Sequence, residues 1–217
     1  KDAAGNETSA VSDAITFDSA APTSPSISIN GGVSYTTSTS VSLSLSAGGA
    51  SQMRFKNDSG SWGGWQTYSG SKSWTLNNTQ GSRTVYVIFK DAAGNETSAV
   101  SNTITFDSAA PTSPSISING GTAYTNSTGV TLTLAATVSS KMRFKNESSG
   151  NWSSYYPFTT RKSWTLLNSK GTRTVYVQFE YEAGNETSGS TNHAITLDTV
   201  APTGVSISID GGEAYTS

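Results

Sequence analysis

The sequence predicts an all-β protein made of tandem seven-stranded antiparallel β-sandwiches. Three observations carry this. First, apolar and hydroxylated residues alternate: Val41, Leu43 and Leu45 interleave with Ser40, Ser42, Ser44 and Ser46, and Val130, Leu132 and Leu134 with Thr131 and Thr133. A period of two gives a strand one buried and one solvated face. Second, Gly- and Asn-containing turn signals recur every ten residues or so, the spacing of short sandwich strands. Third, the chain repeats itself. MRFKN occurs at Met53 and Met142, KSWTL at Lys72 and Lys162, and RTVYV at Arg83 and Arg173. The copies lie about ninety residues apart, the size of one small sandwich.

The elements of the first repeat follow in order. Residues 25–30 form a strand with Ile27 and Ile29 inward, ended by the turn Asn30-Gly31-Gly32. Residues 40–46 form the second strand and Ala47-Gly48-Gly49 turns the chain. Gln52–Asn57 is the third, with Met53 and Phe55 on one face. The Gly-rich residues 59–68 hold a turn and a short strand. Residues 71–76 present Trp74 and Leu76 to the core. Residues 81–89 place Val85, Val87 and Phe89 on one face and Tyr86 and Ile88 on the other. The loop Asp91-Ala92-Ala93-Gly94-Asn95 follows, and Val100–Phe106 closes the unit. Two complete units are expected, 22–109 and 110–200. Residues 1–21 match only the tail of a unit and residues 201–217 only its head, so the chain reads as a window on a longer array.

Composition narrows the function. Serine and threonine make up 70 of 217 residues, a bias shared with flexible stalks, but the strand alternation and aromatic content argue for packed cores. The net charge is −2 with no basic block, which disfavours nucleic-acid binding. No apolar run approaches the ~18 residues that span a bilayer. There is no cysteine, hence no disulfide. The single histidine, His193, is expected at a solvated loop edge in the insertion before the last strand. With no base beside a nucleophile and no carboxylate pair, the chain does not read as an enzyme.

Certain strings resemble a known family. DAAGN after a VYVxFK strand, a strand ending in FDSAAP, and the Trp62, Trp65, Tyr68 run before KSWTL are similar to bacterial immunoglobulin-like (Ig/fibronectin III-type) repeats of large secreted cell-surface proteins. The likeness covers both units and both flanking segments. It implies an extracellular sandwich repeat of stalks, adhesin arms, surface layers or enzyme spacers, and it implies calcium as a candidate ligand at inter-repeat linkers.

Three kinds of site are therefore expected. Calcium takes six to eight oxygen ligands, roughly, several of them carboxylates. The pole of the sandwich should bring Asp18 towards Asp91 and Asn95, and Asp107 towards Glu182 and Asn185. Such a site is acid-poor, and the competing role for Asp91 is capping its own turn. Glycan stacking would fall to Trp62 and Trp65, or to Trp152 and Tyr155, although a spacing of three does not put two side chains on one strand face. Asn-x-Ser/Thr acceptors for glycosylation stand at Asn6, Asn57, Asn77, Asn95, Asn126, Asn146, Asn151 and Asn185. The expected function is a structural or adhesive extracellular segment, a semi-rigid rod or fibre on a microbial surface, with neighbouring repeats as partners. The alternatives are a carbohydrate- or receptor-binding module, and a filament subunit exchanging strands through its terminal segments.

Overall fold

The computed structural model describes residues 1–212; residues 213–217, within the expected head 201–217, lie outside the described residues. The chain divides into a first unit, Lys1–Asp107, and a second that starts at Ser108. The first contains β1 (Thr23–Ile29), β2 (Tyr35–Thr36), β3 (Ser40–Gly48), β4 (Gln52–Asn57), β5 (Gln66–Thr67), β6 (Ser71–Thr75), β7 (Gly81–Lys90) and β8 (Val100–Phe106). The second contains β9 (Thr112–Ile118), β10 (Tyr124–Thr125), β11 (Gly129–Thr137), β12 (Lys141–Asn146), β13 (Tyr156–Pro157), β14 (Arg161–Thr165), β15 (Gly171–Glu180) and β16 (Thr191–Leu197).

Each unit is two sheets. In the first, a three-stranded sheet of order β1-β3-β6 faces a five-stranded sheet of order β2-β8-β7-β4-β5. The second repeats this as β9-β11-β14 and β10-β16-β15-β12-β13. Seven strands per unit fall where the sequence puts them. The eighth, β2 or β10, is two residues long and pairs parallel to the last strand, Tyr35 with Thr105 and Tyr124 with Thr196. Its shortness hides it from any periodicity. The Asn-Gly-Gly turn is tight: Asn30 and Gly31 have φ of 46° and 70°, a region in which Gly carries no Cβ penalty. There the Asn30 side chain accepts a bond from the Ser42 N–H at 2.8 Å, and Asn119 does the same for Thr131 at 2.9 Å.

The inward rows build a separate core in each unit. Ile29, Leu43, Phe55, Val87 and Phe89 are at most 1% exposed in the first. Ile118, Leu132, Phe144, Val177 and Phe179 are their counterparts. The sheets meet where Phe55 packs on Trp74 with ring centroids 5.2 Å apart, and Phe144 on Trp164 at the same distance. Each indole N–H finds an acceptor: Trp74 donates to Asn57 Oδ1 at 2.6 Å and Trp164 to Asn146 Oδ1 at 2.9 Å. Residues 11–17 match β8 at five of seven positions, yet Val11, Ile15 and Phe17 are at least 90% exposed, whereas Ile104 and Phe106 are buried.

His193 departs from expectation. It lies inside β16 opposite Val175, half-buried, because the one extra residue after Asn185 is absorbed before residue 191 and the strand register resumes. It occupies the position of Asn102, which pairs with Val85. Asn102 Oδ1 accepts the Ile29 N–H at 3.1 Å and so links the two sheets. His193 Nδ1 is buried with no hydrogen-bond partner. His193→Asn should give Ile118 the bond that Ile29 has, and stabilise the second unit by about 0.5–1.5 kcal/mol in denaturant titration. An unchanged or lower midpoint would show that this side chain does not join the sheets.

Candidate functional site

Two repeated features gather the chemistry-bearing side chains. The first is the loop between the last two strands. The Asp91 carboxylate accepts from the Gly94 N–H at 2.7 Å, the Asn95 N–H at 2.8 Å and the Asn95 side-chain amide at 2.8 Å. The bond from the Asn95 side chain, with the backbone donors, holds its carboxyl below the ordinary carboxylate range. The same loop forms at Asp2, which accepts from Ala4, from the Asn6 N–H and from the Asn6 side chain at 2.8–3.0 Å. In the third copy Tyr181 replaces Asp, and the loop keeps backbone bonds from the Tyr181 N–H to the Asn185 carbonyl at 2.9 Å and from the Gly184 N–H to the Tyr181 carbonyl at 3.0 Å.

This geometry is the turn-capping one. Asp91's oxygens already face N–H donors, which a cation would have to displace. Asn95 does approach Asp18, but through the Asp18 backbone carbonyl at 3.1 Å, while the Asp18 carboxylate caps the Ala20 N–H. Asp107 closes the first unit, its N–H donating to the Thr36 carbonyl at 2.9 Å, while exposed Glu182 and half-buried Asn185 belong to the second. Among the described residues no three His, Cys, Asp or Glu side chains gather as a metal site would require.

The second feature is a ladder of cations and rings on the outer face of the five-stranded sheet. In the first unit Arg54 lies over Trp65 at 4.5 Å and Trp62 at 5.5 Å, Lys90 over Trp65 at 4.3 Å, and Lys56 over Trp62 at 5.3 Å and Tyr86 at 4.9 Å. Arg54 also pairs with Glu96 at 3.0 Å. In the second, Arg143 lies over Tyr155 at 4.8 Å and Trp152 at 5.3 Å, and Lys145 over Trp152 at 5.2 Å and Tyr176 at 5.3 Å. Arg143 pairs with Glu186 at 2.9 Å. The loop rings are brought together despite their spacing because their loop folds back along β4 or β12, whose outer side chains supply the cations. All four are half-buried against those cations. Burial and the hydrogen bond to Glu186 push the Tyr155 hydroxyl up, so it serves as a neutral donor.

Sequence reasoning missed Glu96 and Thr97. Thr97 Oγ1 accepts the Phe89 N–H at 3.1 Å, and Thr187 accepts that of Phe179 at 3.4 Å. The available signal was their persistence in every copy of the loop, as Glu7-Thr8, Glu96-Thr97 and Glu186-Thr187. Several of the glycosylation acceptors have their amide nitrogen bound. Asn57 donates to the Thr75 carbonyl, Asn146 to that of Thr165, Asn77 to Asp58, and Asn6 and Asn95 to their loop aspartates. Asn126 and Asn151 are exposed, and Asn185 is half-buried.

No protein-family model and no curated protein sequence matches the chain. Solved structures do. The fibronectin(III)-like modules of Clostridium thermocellum CbhA align at a TM-score of 0.50 with 11% identity, covering 79% of this chain and 94% of theirs. The FN1-FN3 domains of chicken CNTN1 align at 0.47 with 10% identity, over 86% of this chain and 69% of theirs.

Two outcomes test the site. Arg54→Ala removes two ring contacts and an ion pair, and should cost the first unit about 1–3 kcal/mol; a loss within error would make the ladder surface decoration. Asp91→Asn should cost stability at neutral pH. Because Asp91's pKa is lowered on folding, its contribution is present above the unfolded value, near 3.8, and fades as pH falls through the folded value. The gap between wild type and variant should therefore narrow on acidification in thermal melts. A pH-independent gap would contradict the capping role. With the core, the sheet orders and the structural match in agreement, each unit is a β-sandwich of immunoglobulin/fibronectin III type.

Proposed function

We propose that this chain is a structural segment of an extracellular surface protein, a tandem module that bears tension and spaces other parts of the molecule. The observation that supports this best is duplication of the closing hardware. Both units carry their own core, the same Phe–Trp junction between sheets and the same cation ladder. A binding module needs one good surface, whereas a load-bearing array needs every unit to hold independently. Pro22 and Pro111, each just before the first long strand of its unit, fix φ where that strand is entered. A hydroxyl-rich, weakly charged surface suits a hydrated exterior.

Stretching a single molecule tests this. Two unfolding events of similar force are expected, each releasing about 30 nm of contour length for a unit of this size. Featureless extension, without discrete events, would overturn the mechanical reading.

A further inference from the structure

We propose that Lys72 and Lys162 guard a self-pairing edge, holding shut the strand through which a second copy of this chain would add to the sheet. An unpaired sheet edge is a template for another strand. Each unit has four edges. β2 and β5, like β10 and β13, are two residues long and too short to template a partner. β1 and β9 carry Pro25 and Pro114, which lack an N–H. Their ladders also shift register where Ser24 and Ser113 have φ of 50° and 52°. That leaves β6 and β14. Each has five residues and pairs on one side only, with β3 or β11. Neither contains a proline or a register shift.

What these strands do have is a lysine in the inward row. Ser71, Ser73 and Thr75 are exposed, while Lys72 and Trp74 are half-buried on the opposite side. The Lys72 ammonium donates to Gln66 Oε1 on β5 at 2.8 Å and sits 5.9 Å from the ring of core residue Phe55. Lys162 sits 3.6 Å from the centroid of Tyr156 on β13. Each lysine thus spans from the edge of one sheet to the edge of the other. In the second unit it closes over a groove of about 550 Å³, lined by Val130, Tyr156, Lys162 and Trp164. A partner strand added at this edge would continue the sheet past the lysine and enclose its ammonium between apolar faces, an arrangement that is costly for a charge.

The occupant held off is the same edge of another copy. In β6 the exposed row Ser71, Ser73 and Thr75 is self-complementary in antiparallel pairing, and in β14 the row is Arg161, Ser163 and Thr165, which would set Arg161 opposite Thr165. The test is Lys72→Met with Lys162→Met in the full chain, read by sedimentation velocity from low micromolar to sub-millimolar concentration. The weight-average mass should at least double relative to wild type at the upper end, with Lys72→Arg/Lys162→Arg unchanged. Backbone amides of β6 and β14 should gain exchange protection in the associated form. Wild-type sedimentation of the Met variant, or protection gained only elsewhere, overturns the proposal. If the Met variant loses its β-sheet circular dichroism, the decision passes to Lys72→Gln/Lys162→Gln, which keeps a hydrogen-bonding head without the charge. Association is expected there too, and wild-type sedimentation overturns the proposal.

Discussion

The pleat of one strand constrains most of each unit. β4 carries Met53 and Phe55 on its inner row, both at most 2% exposed, and Arg54 and Lys56 on its outer row. The inner row builds the core and meets Trp74 of the opposite sheet; the outer row supplies the cations for the ladder. A slip of one residue would send Arg54 into the core and Phe55 to the surface. The pairing of Met53 with Phe89 and of Phe55 with Val87 holds the register. The loop rings can therefore meet their cations only when the core behind them is packed. The polar face and the apolar core form as one cooperative object.

Comparing the two units shows which contacts the architecture keeps and which it lets vary. Gln52 faces Lys90 in the first, and Lys141 faces Glu180 in the second. The cation has moved across the same pair of positions, and the vacated place holds an acid that pairs with it at 2.6 Å. Meanwhile Trp65 has become Tyr155 and Ile88 has become Gln178. The smaller ring is compensated by polar bonds: Tyr155 donates to Glu186, Gln178 donates to Glu186, and Arg143 donates to Gln178 at 2.7 Å. One unit closes this face mainly through π surface, the other mainly through a hydrogen-bond network. Tyr68 on Phe89 becomes Phe158 on Phe179 with the centroid distance, 5.9 Å, unchanged.

The fold was largely legible in the sequence because a half-buried strand writes its two faces as alternation, and the internal repeat supplied a second reading of every element. What escaped was short or depended on three dimensions. β2 is too brief to show a period, and its parallel pairing has no local signature. His193 was misplaced because an insertion of unknown position breaks the alignment between repeats. The loop tryptophans looked unable to share a face, since the rule for spacing within a strand does not govern a loop that folds back over its neighbour. The turn-capping role of Asp91 was readable from its own loop sequence, as local hydrogen bonding is. The partners of Glu96, forty residues away in sequence, were not.

The Asp-Ala-Ala-Gly-Asn loop has a kinetic consequence. Its Asp–Asn bonds close alike at residues 2–6, where the surrounding chain is exposed, and at 91–95 beside a packed sandwich. It is therefore encoded locally, and a contact of such short range closes in roughly 10–100 ns, long before distant strands find each other. An array of near-identical units faces a particular hazard: a strand from one unit can pair with the matching partner of the next and trap the chain. A loop that snaps shut first ties β7 to its own β8 while both cores are still unformed. Bookkeeping of which strand belongs to which unit is thus settled at the hairpin, early and cheaply, before the hydrophobic effect can reward a wrong match.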